Sequence, residues 1–239
     1  MGFAATVERW RPFAREHAKW AAARYGVKLD EHDLLALIRL ESTSKECPNG
    51  GDPTAVSHTG CRGLGQFAGK TLEDYNRENP GHELTWADLV DPDKASGQIR
   101  AVAWCVASSR KTVSAWGMPD AKLNADLWGD VRYGWGGGHL RAAIATYQVE
   151  HGGESPTFDQ LEASSPAAYD ESGDGEIDIR PFQHARSVHK LAAKDRGEAP
   201  VPIPFPDAGQ PVVDCGACCC AARHSSGACP RLAVDKKGS

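Results

Sequence analysis

Residues 29–42 read LDEHDLLALIRLES, a stretch that contains a complete helix with a recognisable start and end. Asp30 is a residue type preferred at a helix N-cap, because its side chain can accept hydrogen bonds from the first free amides. Leu29 and Leu34 occupy the two positions of a hydrophobic staple. The apolar residues that follow fall on nearly every face, a pattern typical of a buried helix. The sequence therefore predicts a buried helix that ends at Glu41.

The rest of the chain also carries helical patterns. Apolar residues recur at helical spacing, and we find no alternating strand of six or more residues before position 155. The fold class predicted is mainly α. The other predicted helices cover residues 7–25, a segment from about 70, and residues 91–109, 138–150 and 181–195.

Composition excludes several classes of protein. The chain has 239 residues, 41% of them hydrophobic and 25% charged, which is typical of globular domains. A net charge of −5 gives no basic surface, so nucleic acid is not an expected partner. No apolar run is long enough to span a membrane. Charges fill the first twenty residues, where a signal peptide needs an apolar stretch.

Proline and cysteine divide the chain into three parts. We expect a body over residues 1–197, an extended proline-rich linker over 198–211 and a cysteine-rich tail over 212–239. The tail has C-x-x-C spacing, which can hold Zn²⁺ or an iron–sulfur cluster. Disulfides are an equal alternative there, and a disordered tail is the third. The metal ligands would be Cys215, Cys218, Cys220 and Cys229.

Glu41 is the leading candidate for catalysis. A carboxyl group at the end of a buried helix loses hydration, and this favours its protonated form. A protonated carboxyl can donate its proton to a leaving oxygen. The alternative is an exposed glutamate that begins a polar loop.

Three blocks that follow Glu41-Ser42 carry a resemblance. They are AVSHTGCRGLGQF at 55–67, DPDKASGQIRAVAWCVAS at 91–108 and AAIATYQVEHGG at 142–153. In this order they resemble the signature of the lytic transglycosylases of the lysozyme-like superfamily. The resemblance implies a lysozyme-like α fold and cleavage of the β-1,4 bond between N-acetylmuramic acid and N-acetylglucosamine. In that family one glutamate acts as acid and then as base, while the muramoyl C6 hydroxyl closes a 1,6-anhydro ring without a cofactor.

The resemblance also implies a set of substrate-binding residues. Tyr147 matches the tyrosine that contacts the catalytic glutamate in the family, while Gln148 stands where the family has asparagine. Glu46 and Asp52 lie in the loop after Glu41 and could position a water, which would make the enzyme a hydrolase like the goose-type lysozymes. The substrate-binding residues implied are Ser42, Ser57, Gly63, Gln66, Phe67, Tyr147 and Gln148.

Two further features of the sequence each allow two interpretations. Residues 170–178, DESGDGEID, resemble the first nine positions of an EF-hand loop, with Asp170, Ser172, Asp174 and Asp178 as Ca²⁺ ligands. The twelfth position is a proline, so a solvated acidic turn is the alternative. Cys47 and Cys61 bracket the loop after Glu41 and could form a disulfide or remain free thiols.

The expected partner is the glycan strand of peptidoglycan. A wall substrate without a signal peptide is typical of a phage enzyme, made in the host cytoplasm and carried in a virion or tail to the host periplasm or cell wall. The cysteine-rich tail would then attach the enzyme to tail or baseplate proteins. An endolysin is the second expectation, and a weakly active structural tail component is the third.

Overall fold

The computed structural model describes residues 3–165 and 180–198, and within them the chain is mainly helical, as predicted. These ranges contain no strand, only two isolated bridges within residues 56–67. Two short 3-10 helices, Asp88–Val90 and Pro92–Lys94, precede α5. The α-helices are α1 (Ala5–Glu8), α2 (Arg11–Tyr25), α3 (Glu31–Glu41), α4 (Gly69–Glu78), α5 (Ala95–Ser114), α6 (Ala125–Trp135), α7 (Gly137–Glu150), α8 (Phe158–Ser164) and α9 (Pro181–Arg196).

Helix α3 forms as its sequence predicts. The Asp30 side chain accepts hydrogen bonds from the amides of His32 and Asp33, and the Asp33 side chain accepts one from the Asp30 amide. This capping box satisfies amides that a helix start leaves free. Leu29 and Leu34 are both buried, and α3 ends at Glu41.

Proline and glycine explain where the helices depart from the prediction. The predicted helix over 7–25 is two helices, because Pro12 lacks an amide hydrogen and favours the first turn of a new helix. Helix α6 was not predicted, since its two glycines lower helix propensity. One of them, Gly129, is required by packing: a Cβ there would lie 2.5 Å from Cγ of Arg110. Tertiary contact therefore outweighs propensity in α6.

The apolar interior consists of two clusters. The first lies among α2, α3 and α5, and the second among α6, α7 and α8. Helix α9 belongs to both, because Val188 and Ala192 lie in the first cluster while Phe182 and Ala185 lie in the second. Helix α9 thus packs across α3 and α6 and joins the two halves of the interior.

The predicted linker and tail, residues 198–211 and 212–239, lie almost entirely outside the described residues. The boundaries of the three parts stay predictions. Among the described helices, none combines the length and the apolar composition needed to cross a bilayer.

Candidate functional site

Glu41 is the last residue of α3, and its side chain is fully enclosed, with 0% of its surface exposed. Neither carboxylate oxygen accepts a well-aligned hydrogen bond from the described part of the chain. A buried carboxylate without hydrogen bonds is unfavourable unless a nearby positive charge or a proton compensates for the lost hydration. The neighbours of Glu41 must therefore supply one or the other.

His184 of α9 faces Glu41 across the interior. Its Nε2 atom lies 3.1 Å from Oε1 of Glu41, and only 10% of its side chain is exposed. Burial by itself would lower the pKa of His184, but the Glu41 carboxylate outweighs burial and the pKa of the imidazole is raised. The two side chains therefore form a buried acid–base pair.

A second buried carboxylate, Asp130 of α6, lies within electrostatic reach of His184. Burial raises the pKa of Asp130 to about 7, although Arg110 of α5 acts in the opposite direction. The Arg110 guanidinium lies 3.5 Å from Asp130 and 2.9 Å from Asp33, near the start of α3. Buried charges thus extend beside α3 from its first turn to Glu41.

The loop after Glu41 is tied back to the helix by Ser42. Its hydroxyl donates to the Ile38 carbonyl and accepts from the Gly51 amide, and its own carbonyl accepts from the Asp52 amide at 3.2 Å. Ser42 has no exposed surface. Its observed role is to fix the loop against the end of α3, directly beside Glu41.

Ser57 and Gln66 also stabilise this loop by hydrogen bonds to its backbone. The Ser57 hydroxyl accepts the Cys61 amide at 3.0 Å. The Gln66 side-chain amide donates to the carbonyls of Ala55 and Gly63, and the residue is buried. Gln66 also has a φ of 48°, which is uncommon outside glycine. These two predicted substrate-binding residues hold the loop in a defined conformation.

Gly63 and Phe67 have different surroundings. Gly63 has a φ of 76°, and a Cβ there would lie 2.3 Å from the Leu89 carbonyl oxygen and 2.7 Å from Oε1 of Gln98. The space beside Gly63 is thus filled by the protein itself. Phe67 is buried as well, and its ring lines a cavity next to the loop.

This cavity has a volume of about 380 Å³ and lies between α4, α5 and the end of α6. Phe67, Trp104 and Tyr133 give its wall an aromatic part, and charged residues such as Asp74 and Arg132 give it a polar part. A concave site of this size with both kinds of surface is suited to a small polar ligand or part of a polymer.

Cys105 connects the cavity with the buried pair. Its thiol lines the cavity, and burial raises the pKa of that thiol to about 12. The negative charge of Glu41 contributes to this rise. The Glu41 carboxylate therefore lies within electrostatic reach of the cavity wall, although Glu41 itself does not line the cavity.

Sequence reasoning missed two residues of this region. Tyr133 lines the cavity and donates its hydroxyl to the Gly65 carbonyl at 2.7 Å. Its signal in the sequence was a tyrosine within RYGWGGG, a glycine-rich segment before the helix at 138–150. His184 had no such signal, because nothing in the spacing of the chain links a histidine of the last helix to Glu41.

Tyr147 and Gln148 lie in another part of the molecule. Tyr147 belongs to the second apolar cluster and stacks on His151, with ring centroids 3.8 Å apart. Gln148 donates its side-chain amide to the Ser155 hydroxyl at 3.0 Å. Neither lines the cavity, so these two residues are not brought together with Phe67 and Tyr133.

The predicted metal sites at residues 170–178 and 215–229 lie outside the described residues. Within the described ranges, no group of three or more side chains is arranged to hold a metal ion. Cys47, Cys61 and Cys105 are not joined in disulfides, so the alternative of a disulfide between Cys47 and Cys61 is not the one observed.

Comparison of the chain with models of protein families, with curated proteins and with solved structures gives no match.

Proposed function

We propose that the chain is a lysozyme-like enzyme that cleaves the β-1,4 bond between N-acetylmuramic acid and N-acetylglucosamine in peptidoglycan. The observation that carries the proposal is the environment of Glu41. A carboxyl group at the end of a buried helix has no well-aligned hydrogen bond in the described chain, contacts a histidine and lies near an aromatic and polar cavity. The sequence blocks after Glu41 supply the substrate class.

Glu41 would act as the general acid and then as the general base. Its proton passes to the glycosidic oxygen while the bond from that oxygen to C1 breaks. The resulting carboxylate then accepts the proton of the hydroxyl that attacks C1. Because substrate contacts tighten only in the complex, the poor alignment around Glu41 in the free enzyme is compatible with this role.

The surroundings of the two other acidic candidates favour an internal nucleophile over water. Asp52 accepts hydrogen bonds from the Thr54 amide at 2.8 Å and the Thr54 hydroxyl at 2.7 Å, so its carboxylate is engaged in its own turn. Glu46 is exposed. We therefore favour the C6 hydroxyl of the muramoyl residue over a water as the nucleophile, which is transglycosylase chemistry.

The proposal is tested by digestion of purified peptidoglycan with the wild type and with Glu41→Gln. We expect the variant to lose at least about 100-fold in rate, because general acid–base catalysis contributes roughly 10²–10⁴-fold. Glu150→Gln is the matched control, since Glu150 is also the last residue of a helix but is exposed. Equal rates for wild type and Glu41→Gln, or no digestion by the wild type, would refute the proposal; the second result would favour a structural tail component.

Mass spectrometry of the products distinguishes the two mechanisms. Transglycosylase chemistry leaves 1,6-anhydromuramoyl ends, whereas hydrolysis leaves reducing ends that are heavier by one water. Anhydro ends are the expected result, and reducing ends would assign the chain to the goose-type hydrolases.

A further inference from the structure

The contact between Glu41 and His184 has no counterpart in the function just proposed, which uses Glu41 alone. His184 reaches Glu41 from α9, and both side chains are enclosed, so water does not screen the pair. Neither Nε2 of His184 nor either oxygen of Glu41 forms a well-aligned hydrogen bond with a described residue, so no other group competes for a proton at their 3.1 Å contact. The pair is therefore free to hold one proton between its two members.

We propose that His184 is a positioning residue that stores the catalytic proton with Glu41, so that the buried pair enters each turnover carrying one shared proton. This inference rests on the proposed function, because it assigns the partner of the same carboxyl group. His184 does not touch the substrate; it acts through Oε1 of Glu41.

Over one turnover the pair releases one proton and takes one back. His184 passes the shared proton from Nε2 to Oε1 of Glu41, and Glu41 gives it to the glycosidic oxygen, which leaves with the electron pair of its bond to C1. The C6 hydroxyl oxygen bonds to C1 and its proton returns to Glu41. One proton leaves the pair and one comes back.

The charges that face His184 set the pH range over which the pair keeps its proton. Helix α9 packs on α3 and α6. From α3 it faces Glu41, and from α6 it is within reach of Asp130, while Arg110 contacts Asp130 on the far side. Two carboxyl groups favour the protonated imidazole, and the pKa of His184 is raised although burial opposes this.

The first experiment measures the pair without any assay of activity. In protein labelled with ¹³C and ¹⁵N at histidine, NMR titration gives the protonation midpoint of His184 in the wild type and in Glu41→Gln. We expect the midpoint to fall by at least about one pH unit in the variant, because an opposite charge at this distance shifts a pKa by roughly 1–3 units. An unchanged midpoint would refute the shared proton whatever the chain catalyses.

The second experiment measures the pH dependence of peptidoglycan digestion in His184→Gln. Above the midpoint of the pair the wild type loses its acid, so its rate falls on the basic side. Without His184 the pair no longer stores that proton, and we expect a loss of tenfold or more near neutral pH, a smaller loss in acid and little change in KM.

His189→Gln is the control for a general disturbance of α9. His189 lies on the same helix and pairs with Asp126 at 3.0 Å, but it does not contact Glu41. We expect its pH profile to match the wild type. A profile of His184→Gln that is lowered equally at all pH values, in protein with wild-type circular dichroism, would mean a structural role and would overturn the inference, while loss of activity in Glu41→Gln would still support the proposed function.

Discussion

At the scale of single residues, the interior of this protein is unusual for the number of charges that it encloses beside α3. Arg110 is the central one, since its guanidinium contacts Asp33 and Asp130 and donates to the Lys28 carbonyl. A buried ion pair contributes little when compared with an apolar replacement of the whole group, but removal of one member leaves an uncompensated charge. Removal of the Arg110 guanidinium should therefore lower the free energy of unfolding strongly.

Arg110→Met tests this at the same scale. We expect the free energy of unfolding to fall by about 3–5 kcal/mol, because two buried carboxylates lose their common partner. Arg15→Met is the control: Arg15 pairs with Glu31 at 3.0 Å, but its side chain is 65% exposed, and such a pair contributes about 0–1 kcal/mol. Urea unfolding of both variants measures the difference, and equal losses would contradict the importance of burial.

At the scale of elements, α9 is the helix that completes the fold. It supplies apolar side chains to both clusters and His184 to the candidate site. Its C-terminal end is held by ion pairs, among them Asp195 with Arg11 at 2.6 Å and Arg196 with Asp33 at 3.0 Å. The position of Glu41 in the interior therefore depends on how well α9 is anchored.

Phe182→Ala is expected to loosen this anchor. Phe182 is buried and packs edge-on against Trp135 and Phe158, so its truncation removes about 3–5 kcal/mol of stability. Gln183→Ala, at the exposed neighbouring position, should change stability by less than about 0.5 kcal/mol. Thermal unfolding followed by circular dichroism compares the two, and a small effect of Phe182→Ala would mean that α9 is not required for the second cluster.

Local signals explain which elements the sequence could predict. The start of α3 at Asp30, the end of α2 before Gly26 and the start of α9 at Pro181 depend on neighbouring residues. They agree with the predicted N-cap and with the predicted ends of the helices over 7–25 and 181–195. Helix α6 and the pairing of Glu41 with His184 are not local. They depend on contacts between segments far apart in the chain, and no spacing rule reports such contacts.

At the scale of the whole molecule, the titrating groups predict how stability changes with pH. The pKa values of His184 and His189 are raised in the folded state, so their contributions are complete below about 6.5 and are lost as pH rises through the folded values. Burial raises the pKa of Asp130 to about 7, and this also makes the protein less stable as pH rises. Burial lowers the pKa of His17, and this makes the protein more stable as pH rises. Asp126 has its pKa lowered to about 2: burial opposes this, but the hydrogen bond from His189 prevails, so its contribution is lost only in acid.

We therefore expect the melting temperature to fall between about pH 6 and pH 8. A group that changes its pKa by one unit on folding contributes about 1.4 kcal/mol, and 1 kcal/mol corresponds to about 2–4 °C in a protein of this size. The double variant His184→Gln/His189→Gln should flatten the decline. Calorimetry across this range measures it, and a melting temperature that stays level or rises towards pH 8 would contradict the raised pKa values of the two histidines.

Helix α9 contacts residues far away in the sequence, and this affects the order in which the protein folds during synthesis. The contact between His32 and Asp195 joins residues 163 positions apart. A ribosome that adds about 5–20 residues per second needs roughly 8–30 s to cover that interval. During this time the nascent chain already contains α3 but not the helix that encloses Glu41. The carboxyl group is thus hydrated first and buried last, and the candidate site is assembled only when synthesis has passed α9.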